Sequence, residues 1–285
     1  MAENSVGSVV RLAHLGPRGT YTEAAALAYD PHARLLPLPT VAAAMQAVLD
    51  GQSEGAVCAI ENSIEGGVLE TLDLMLRDEF SLRICAEVVL PIRHALVGAP
   101  GIDPAAASIV YSHPQALAQC RQHLRVLAPR AEPVAALSTA AAIAAAVAAP
   151  GTVAVGSAFA AQLNAATVYA DDIGDESGNQ TRFVVMAPED HAPTGDDKTS
   201  IAFTTHHDRP GSLVDMLGRL SQRQINMTHI ESRPTRRQLG TYVFLVDFAG
   251  HRADPPVAAV LAELRASALW LRVFGSYQRW AREHA

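Results

Sequence analysis

From residue 8 onward the chain alternates short β-rich runs with helical ones, and each helix opens near a turn residue or a hydroxyl. That alternation defines an α/β domain. The first unit is a strand at 8–15, the turn GPRG and a helix at 21–29. Thr20 and Glu23 have the spacing of a capping box, which puts both at that helix's N-terminus. A strand at 33–38 leads to a helix at 41–50 capped by Thr40, and a strand at 55–60 runs into ENSIEGG and a helix at 67–77. The stretch 81–97 is β-rich with no helix inside it, which suits a crossover into a second lobe.

The theme then repeats through strands at 108–111, 132–136 and 152–155 and helices at 114–126, 139–149 and 157–163. After the polar loop DDIGDESGNQ, a last strand at 181–186 is expected to return to the first lobe. The result is a groove between one lobe of residues 8–80 plus 165–187 and another of residues 81–164. Residues 187–197 are rich in Pro, Gly and Asp and read as a linker. Beyond it, 198–277 reads βαββαβ, a ferredoxin-like order. A length of 285 residues accommodates both domains.

Composition removes several reaction classes. The net charge is −7, so there is no electrostatic footprint for a phosphate backbone, and nucleic acid is not expected as a partner. Lys198 is the only lysine, which leaves no residue for a P-loop or a Schiff base before position 198. Cys58, Cys85 and Cys120 lie 27 and 35 residues apart without a CxxC, and read as reduced core thiols. The eleven His include the adjacent pair His206 and His207 but form no HxxxH or HExxH, so no metal is expected. There is no apolar run of membrane-spanning length, and the N-terminal segment lacks the layout of a secretory signal. A cytoplasmic location is the expectation.

Hydroxyls and amides gather at predicted strand ends and first helical turns: Thr20 and Thr22, Asn62 and Ser63, Ser112 and Gln115, Ser138 and Thr139. In open α/β sheets ligands bind at that edge, and helix N-termini favour an anion. Each hydroxyl can equally be a helix cap worth about 1 kcal/mol. Glu61 can be solvated or salt-bridged, and Arg182 can bind a carboxylate or pin the polar loop before it. His113, beside Pro114, reads as structural.

Taken together, GPRGTYTEAA (16–25), AIENSIEGGV (59–68), SHPQALAQC (112–120), STAAA (138–142), GNQTRFVVM (178–186), RPGSLVDML (209–217) and NMTHIESRP (226–234) are highly specific. On these residues the chain resembles monofunctional prephenate dehydratases with a C-terminal ACT regulatory domain, over about residues 8–277. The resemblance implies a two-lobed catalytic domain of periplasmic-binding-protein type with prephenate in the interlobe cleft. It also implies conversion to phenylpyruvate, water and carbon dioxide, in phenylalanine biosynthesis.

By the same resemblance Thr181 is the residue tied most closely to catalysis, with Asn62, Gln115 and Ser112 beside it. Thr20, Glu61, Ser63, Thr139, Arg182 and Phe183 are implied to contact substrate. Phenylalanine is the implied effector, bound between two ACT domains by Pro210, Gly211, Ser212, Leu213, Asn226, Glu231, Ser232 and Arg233, which implies a homodimer or homotetramer. The family's usual GALV reads Gly211-Ser212-Leu213-Val214 here, and the added hydroxyl is expected to alter effector affinity or selectivity. Because the first strand begins near residue 8, no N-terminal chorismate mutase domain is expected. No organic cofactor is implied. Arogenate dehydratase and a non-catalytic amino-acid sensor are the alternatives; an intact GNQTRF speaks against the sensor.

Overall fold

The computed structural model describes residues 10–205, 210–235 and 241–281. Its elements run β1 (Arg11–Leu15), α1 (Tyr21–Tyr29), β2 (Arg34–Leu38), α2 (Val41–Leu49), β3 (Gly55–Asn62), β4 (Gly66–Gly67), α3 (Leu69–Met75) and β5 (Arg83–Pro91). Next come β6 (Ala95–Gly98), β7 (Ile109–Ser112), α4 (Pro114–Gln119), α5 (Arg121–Leu127), β8 (Glu132–Ala135), α6 (Thr139–Ala148), β9 (Thr152–Gly156), α7 (Ala158–Leu163), β10 (Thr167–Ala170) and β11 (Gln180–Ala187). The C-terminal part is β12 (Asp197–Thr205), α8 (Ser212–Gln222), β13 (Met227–Pro234), β14 (Tyr242–Ala249), α9 (Pro255–Ser267) and β15 (Ala268–Gln278). His206, His207 and Arg209 lie outside the described residues.

Contacts group the chain into two units, one of residues up to Gly66 with Val89–Phe183, the other of Gly67–Val88 with the residues from Val184 onward. Within the first unit, β2, β1 and β3 are parallel neighbours, with Leu12 opposite Leu35 on one side and Ala13 opposite Ala56 on the other. The start of β11 comes back beside the end of β3, where the Ser63 amide donates to Gln180 O at 2.9 Å. A second sheet, ordered β10-β6-β9-β7-β8, completes this unit.

Alternation inside β6 decides how the second sheet is covered. Ala95 and Val97 pack with α6 and α7, and Leu96 packs on the opposite face with Val110, Val153, Val155 and Cys120. Both faces are therefore dry, as expected for strands flanked by helices. The near-continuous alanine of α6 lets that helix approach the sheet closely: at Gly156 even a methyl group would meet Thr139 O at 3.2 Å. The single helix expected over 114–126 is instead two, broken at Cys120, whose φ of −115° and ψ of 13° leave the helical range. Strand β10 carries no strong alternation and went unrecognised in the sequence.

The second unit contains a four-stranded antiparallel sheet, β13-β14-β12-β15, covered by α8 and α9. Placing the first and third strands of a βαββαβ chain at the centre is the ferredoxin-like arrangement. Ile201, Phe203, Val246, Phe248, Leu220, Val260 and Leu264 form its core. Among the described residues no helix is long and apolar enough to cross a membrane.

Candidate functional site

The site begins with a turn. Asn62 ends β3, and its Oδ1 accepts from the backbone N–H groups of Ile64 and Glu65, each at 3.0 Å. Backbone amides can only donate, so this pair fixes the carboxamide with its Nδ2 on the other side. There Nδ2 donates toward Asn179 Oδ1 at 2.8 Å, Thr181 Oγ1 at 2.9 Å and Gln180 O at 3.1 Å. Each amide beyond is oriented in turn. Asn179 Nδ2 donates to Gln119 Oε1 at 3.1 Å, and Gln119 Nε2 donates to Glu65 Oε1 at 2.9 Å.

His94 closes the network. Its Nε2 lies 3.0 Å from Gln119 Oε1, which can only accept, so the ring carries its proton on Nε2. The ring is buried; that burial, outweighing the bond to Gln119, pulls its pKa below the usual histidine value and keeps it neutral. Tyr21 stacks edge-on against the ring at 6.2 Å, its hydroxyl donating to Arg93 O at 2.5 Å. Buried His14 also has a lowered pKa, again through desolvation first.

A group with a depressed native pKa stabilises the fold above its unfolded value and loses that contribution as pH falls, because the unfolded chain then binds more protons. The unfolding midpoint of the protein is therefore expected to drop below about pH 6.5. In His94→Gln that drop should be shallower; an unchanged slope in a thermal melt series would show that His94 does not titrate this way.

For Thr181 the network has a specific consequence. Its Oγ1 accepts from Asn62, and among the described residues its own proton is donated to no partner. A hydroxyl with a filled lone pair and a free O–H is a directed donor. The amide chain also forms one wall of a cavity of about 680 Å³, whose lining includes Ile64, Glu65, Arg93, His94, Gln119 and Asn179. Asn62 and Thr181 stand next to that lining and are not part of it.

Several residues expected at the site have other work. Ser112 is fully buried and donates to Val155 O at 2.7 Å, so its hydroxyl ties two strands together. Gln115 is exposed on the first turn of α4, where His113 Nδ1 accepts from its backbone N–H; the carboxamide that reaches the network is Gln119, one turn later. Thr20 caps α1, accepting from Glu23 N at 3.2 Å and donating to Leu15 O at 3.2 Å. Glu23 reaches back past the cap and accepts from Gly19 N, one residue before Thr20, so the expected capping box is formed only on its Thr20 side.

Ser63 accepts from Gln180 N at 2.9 Å and donates to Gly178 O at 3.4 Å, which stitches ENS to GNQTRF. Arg182 meets Glu61 at 3.0 Å, so its charge is balanced locally. Phe183 is core. Thr139 is the first residue of α6 after the Ser138 cap, and among the described residues its hydroxyl makes no hydrogen bond. At Gly19 the GPRG turn rests on the helices of the second sheet: its φ is +87° and a Cβ there would lie 3.1 Å from Ala160 Cβ.

The expected effector residues divide into two groups. Pro210 is exposed, Gly211 takes φ +90° at the start of α8, Ser212 opens that helix and Leu213 packs on the core. Asn226 and Ser232 are exposed. Glu231 and Arg233 instead turn toward Gly67, two residues before α3, and toward α3 itself. Arg233 is buried and meets Asp73 of α3 at 2.6 Å, and the carboxylate of Glu231 fills the space where Gly67 lacks a side chain. Burial pushes the Cys85 thiol up to about 11 and the Cys120 thiol up to about 12, and none of the three cysteines forms a disulfide among the described residues.

Comparison with known proteins agrees along the chain. The profile of the family described as Prephenate dehydratase matches residues 12–191, and that of the ACT domain matches 199–266. A prephenate dehydratase of Mycolicibacterium vanbaalenii is 38% identical over 283 residues, covering 93% of this chain and 90% of that protein. An arogenate dehydratase 1 of Petunia hybrida is 38% identical over 289 residues, covering 95% of this chain and 67% of that one. The crystal structure of a prephenate dehydratase from Arthrobacter aurescens in complex with L-Phe superposes with a TM-score of 0.86 at 36% identity, over 95% of this chain and 90% of that one.

Proposed function

Because the chain belongs to the prephenate dehydratase family, we propose that its chemistry rests on one oriented hydroxyl, Thr181. The reaction converts prephenate to phenylpyruvate, water and carbon dioxide. The C4–O bond breaks with its electron pair on oxygen, and the bond from the ring to its carboxylate breaks with its pair entering the ring. The ring becomes aromatic, carbon dioxide departs, and the released hydroxide takes up a proton to become water. Aromatisation supplies the drive, so the enzyme's task is to ease the oxygen's exit.

A threonine hydroxyl does not ionise near neutral pH, yet its hydrogen bond strengthens as charge builds on the leaving oxygen, which is selective stabilisation of the transition state. The observation that carries this reading is the 2.9 Å donation from Asn62 Nδ2 to Thr181 Oγ1, which leaves the threonine proton for the substrate. Gln119, Asn179 and His94 hold Asn62 in that orientation and act as positioning residues. Arg182 is balanced by Glu61, and the groups of the network that stand beside the Thr181 hydroxyl, the carboxamides of Asn62, Asn179 and Gln119, are neutral. The free hydroxyl of Thr139 and the first N–H groups of α6 are suited to a substrate carboxylate.

Prephenate, rather than its amino analogue arogenate, is the proposed preferred substrate, and the similarity to an arogenate dehydratase makes the comparison the necessary test. Purified protein supplied with each compound should form phenylpyruvate from prephenate with kcat/KM at least about tenfold above that for arogenate. A reversed ratio would assign the second activity.

L-Phenylalanine is proposed to bind at Pro210–Leu213, Asn226 and Ser232, with homo-oligomers formed through ACT domains whose edge strand β13 exposes Thr228, Ile230 and Ser232. A cytoplasmic location fits three cysteines that are not paired in disulfides. Since Arg233 spans from the effector motif to Asp73, the pair is suited to coupling the ACT strand to α3. Asp73→Asn is expected to shift the half-effect concentration of phenylalanine by about fivefold, with uninhibited kcat within about twofold. An unshifted response curve would remove this pair from regulation.

A further inference from the structure

The second unit contains a cavity of about 570 Å³ that the dehydratase chemistry does not use. Its lining includes Arg83, Arg252, Arg265 and Arg272 on an apolar floor with Leu261 and Val273, and among the described residues no carboxylate lines it. The four cations come from separate elements: β5, the turn after β14, the last turn of α9, and β15. Such a concentration of guanidinium groups is unexpected in a chain of net charge −7.

The charges are only partly balanced. Arg252 meets Asp190 at 2.6 Å. Arg272 donates to the carbonyl oxygens of Met75 at 3.0 Å, Arg77 at 2.6 Å and Asp78 at 3.3 Å, and Arg83 donates to Val273 O. Carbonyls satisfy N–H groups without cancelling charge. Arg265 has neither hydrogen bond nor ion pair among the described residues. Burial, and after it the nearby charge of Arg83, lower the pKa of Arg272, while Asp78 and Glu79 act on it in the opposite sense. Trp270 lies beneath the Arg272 guanidinium at 5.1 Å.

We propose that this cavity is a binding site for a small amphipathic carboxylate, its anionic end among Arg83, Arg265 and Arg272 and its hydrocarbon body against Leu261 and Val273. A volume of this order suits a ligand of small-molecule size, and the mix of apolar walls with a few convergent charges is that of a small-molecule pocket. Guanidinium groups favour planar carboxylates through paired N–H donors. The site is separate from the Thr181 network and from the residues assigned to phenylalanine, so its failure would leave the dehydratase reading untouched.

The test is calorimetric titration of the full chain with 3-phenylpropionate, alongside the neutral 3-phenylpropanamide and inorganic phosphate. Arg265 is exposed and unpaired, so Arg265→Glu and Arg265→Lys should fold normally and keep the parent kcat. The expected result is binding of 3-phenylpropionate that weakens about tenfold or more in Arg265→Glu and is retained within about threefold in Arg265→Lys. The amide and phosphate should each bind at least about tenfold more weakly than the carboxylate. Equal affinity in the parent and Arg265→Glu, equal binding of the amide, phosphate binding as tight as the carboxylate, or no binding at all would each overturn the proposal.

Discussion

Thr181→Ala is expected to lower kcat by about 10²–10³-fold, the usual cost of removing one donor to a developing oxyanion, while KM stays within about twofold. The asymmetry follows from the chemistry. In the ground state the substrate's C4 hydroxyl is neutral and gains little from one more hydrogen bond, whereas at the transition state that oxygen is becoming hydroxide. Thr181→Val, which keeps the branched shape, should fall with alanine, and Thr181→Ser should retain activity to within about tenfold. Continuous detection of phenylpyruvate separates these outcomes. Valine retaining parental kcat would show that the hydroxyl is not the donor.

The second large effect concerns stability. Lys198 Nζ lies 2.8 and 3.0 Å from the two oxygens of Glu87, whose side chain is 1% exposed, and Trp280 N donates to the same carboxylate at 3.0 Å. The only lysine of the chain therefore supplies the counter-ion of a buried carboxylate. Breaking one side of a buried pair typically costs about 3–5 kcal/mol, because the remaining charge stays desolvated. Lys198→Met should lose stability of that order in chemical denaturation. The double change Lys198→Met with Glu87→Leu should recover most of it, since a buried pair is often matched by apolar residues of similar size. If the double variant were no more stable than the single one, the loss would come from packing and not from charge.

Much of the architecture could be read directly because it follows from local rules. Thr20, Thr40 and Ser138 sit where hydroxyls cap helices, and each accepts the backbone N–H three residues on. The βαββαβ order of the C-terminal part carries its own turn signals and a separate core. What remained hidden depended on tertiary geometry. Ser112 and Thr20 have the residue types of a binding cleft, but whether a hydroxyl faces ligand or backbone depends on strand pairing, and both face backbone.

Gln115 and Gln119 are one helical turn apart in the same motif, so the sequence offered two carboxamides on one face. The break at Cys120 ends α4 immediately after Gln119, the one that meets Asn179. Asn179 stands two residues before Thr181, just ahead of β11, and Asn62 Nδ2 reaches both side chains; that spacing was the available signal. His94 had none: its role comes from burial beside Gln119, 25 residues away in the chain. Arg233 likewise reads as an exposed effector ligand in ESRP, and only its packing turns it onto Asp73.

The orientation of Thr181 by Asn62 is tested most directly by a kinetic cycle on the two residues. In Asn62→Asp the carboxylate can only accept, so the Thr181 proton turns back to it and is lost to the substrate. Asn62→Asp and Thr181→Ala should each lower kcat about 10²-fold or more, and the double variant should be no more than about threefold slower than the slower single one. Losses that multiply, with the double variant slower by the product of the two single effects, would mean that Asn62 and Thr181 act independently and that the hydroxyl is not directed by the amide.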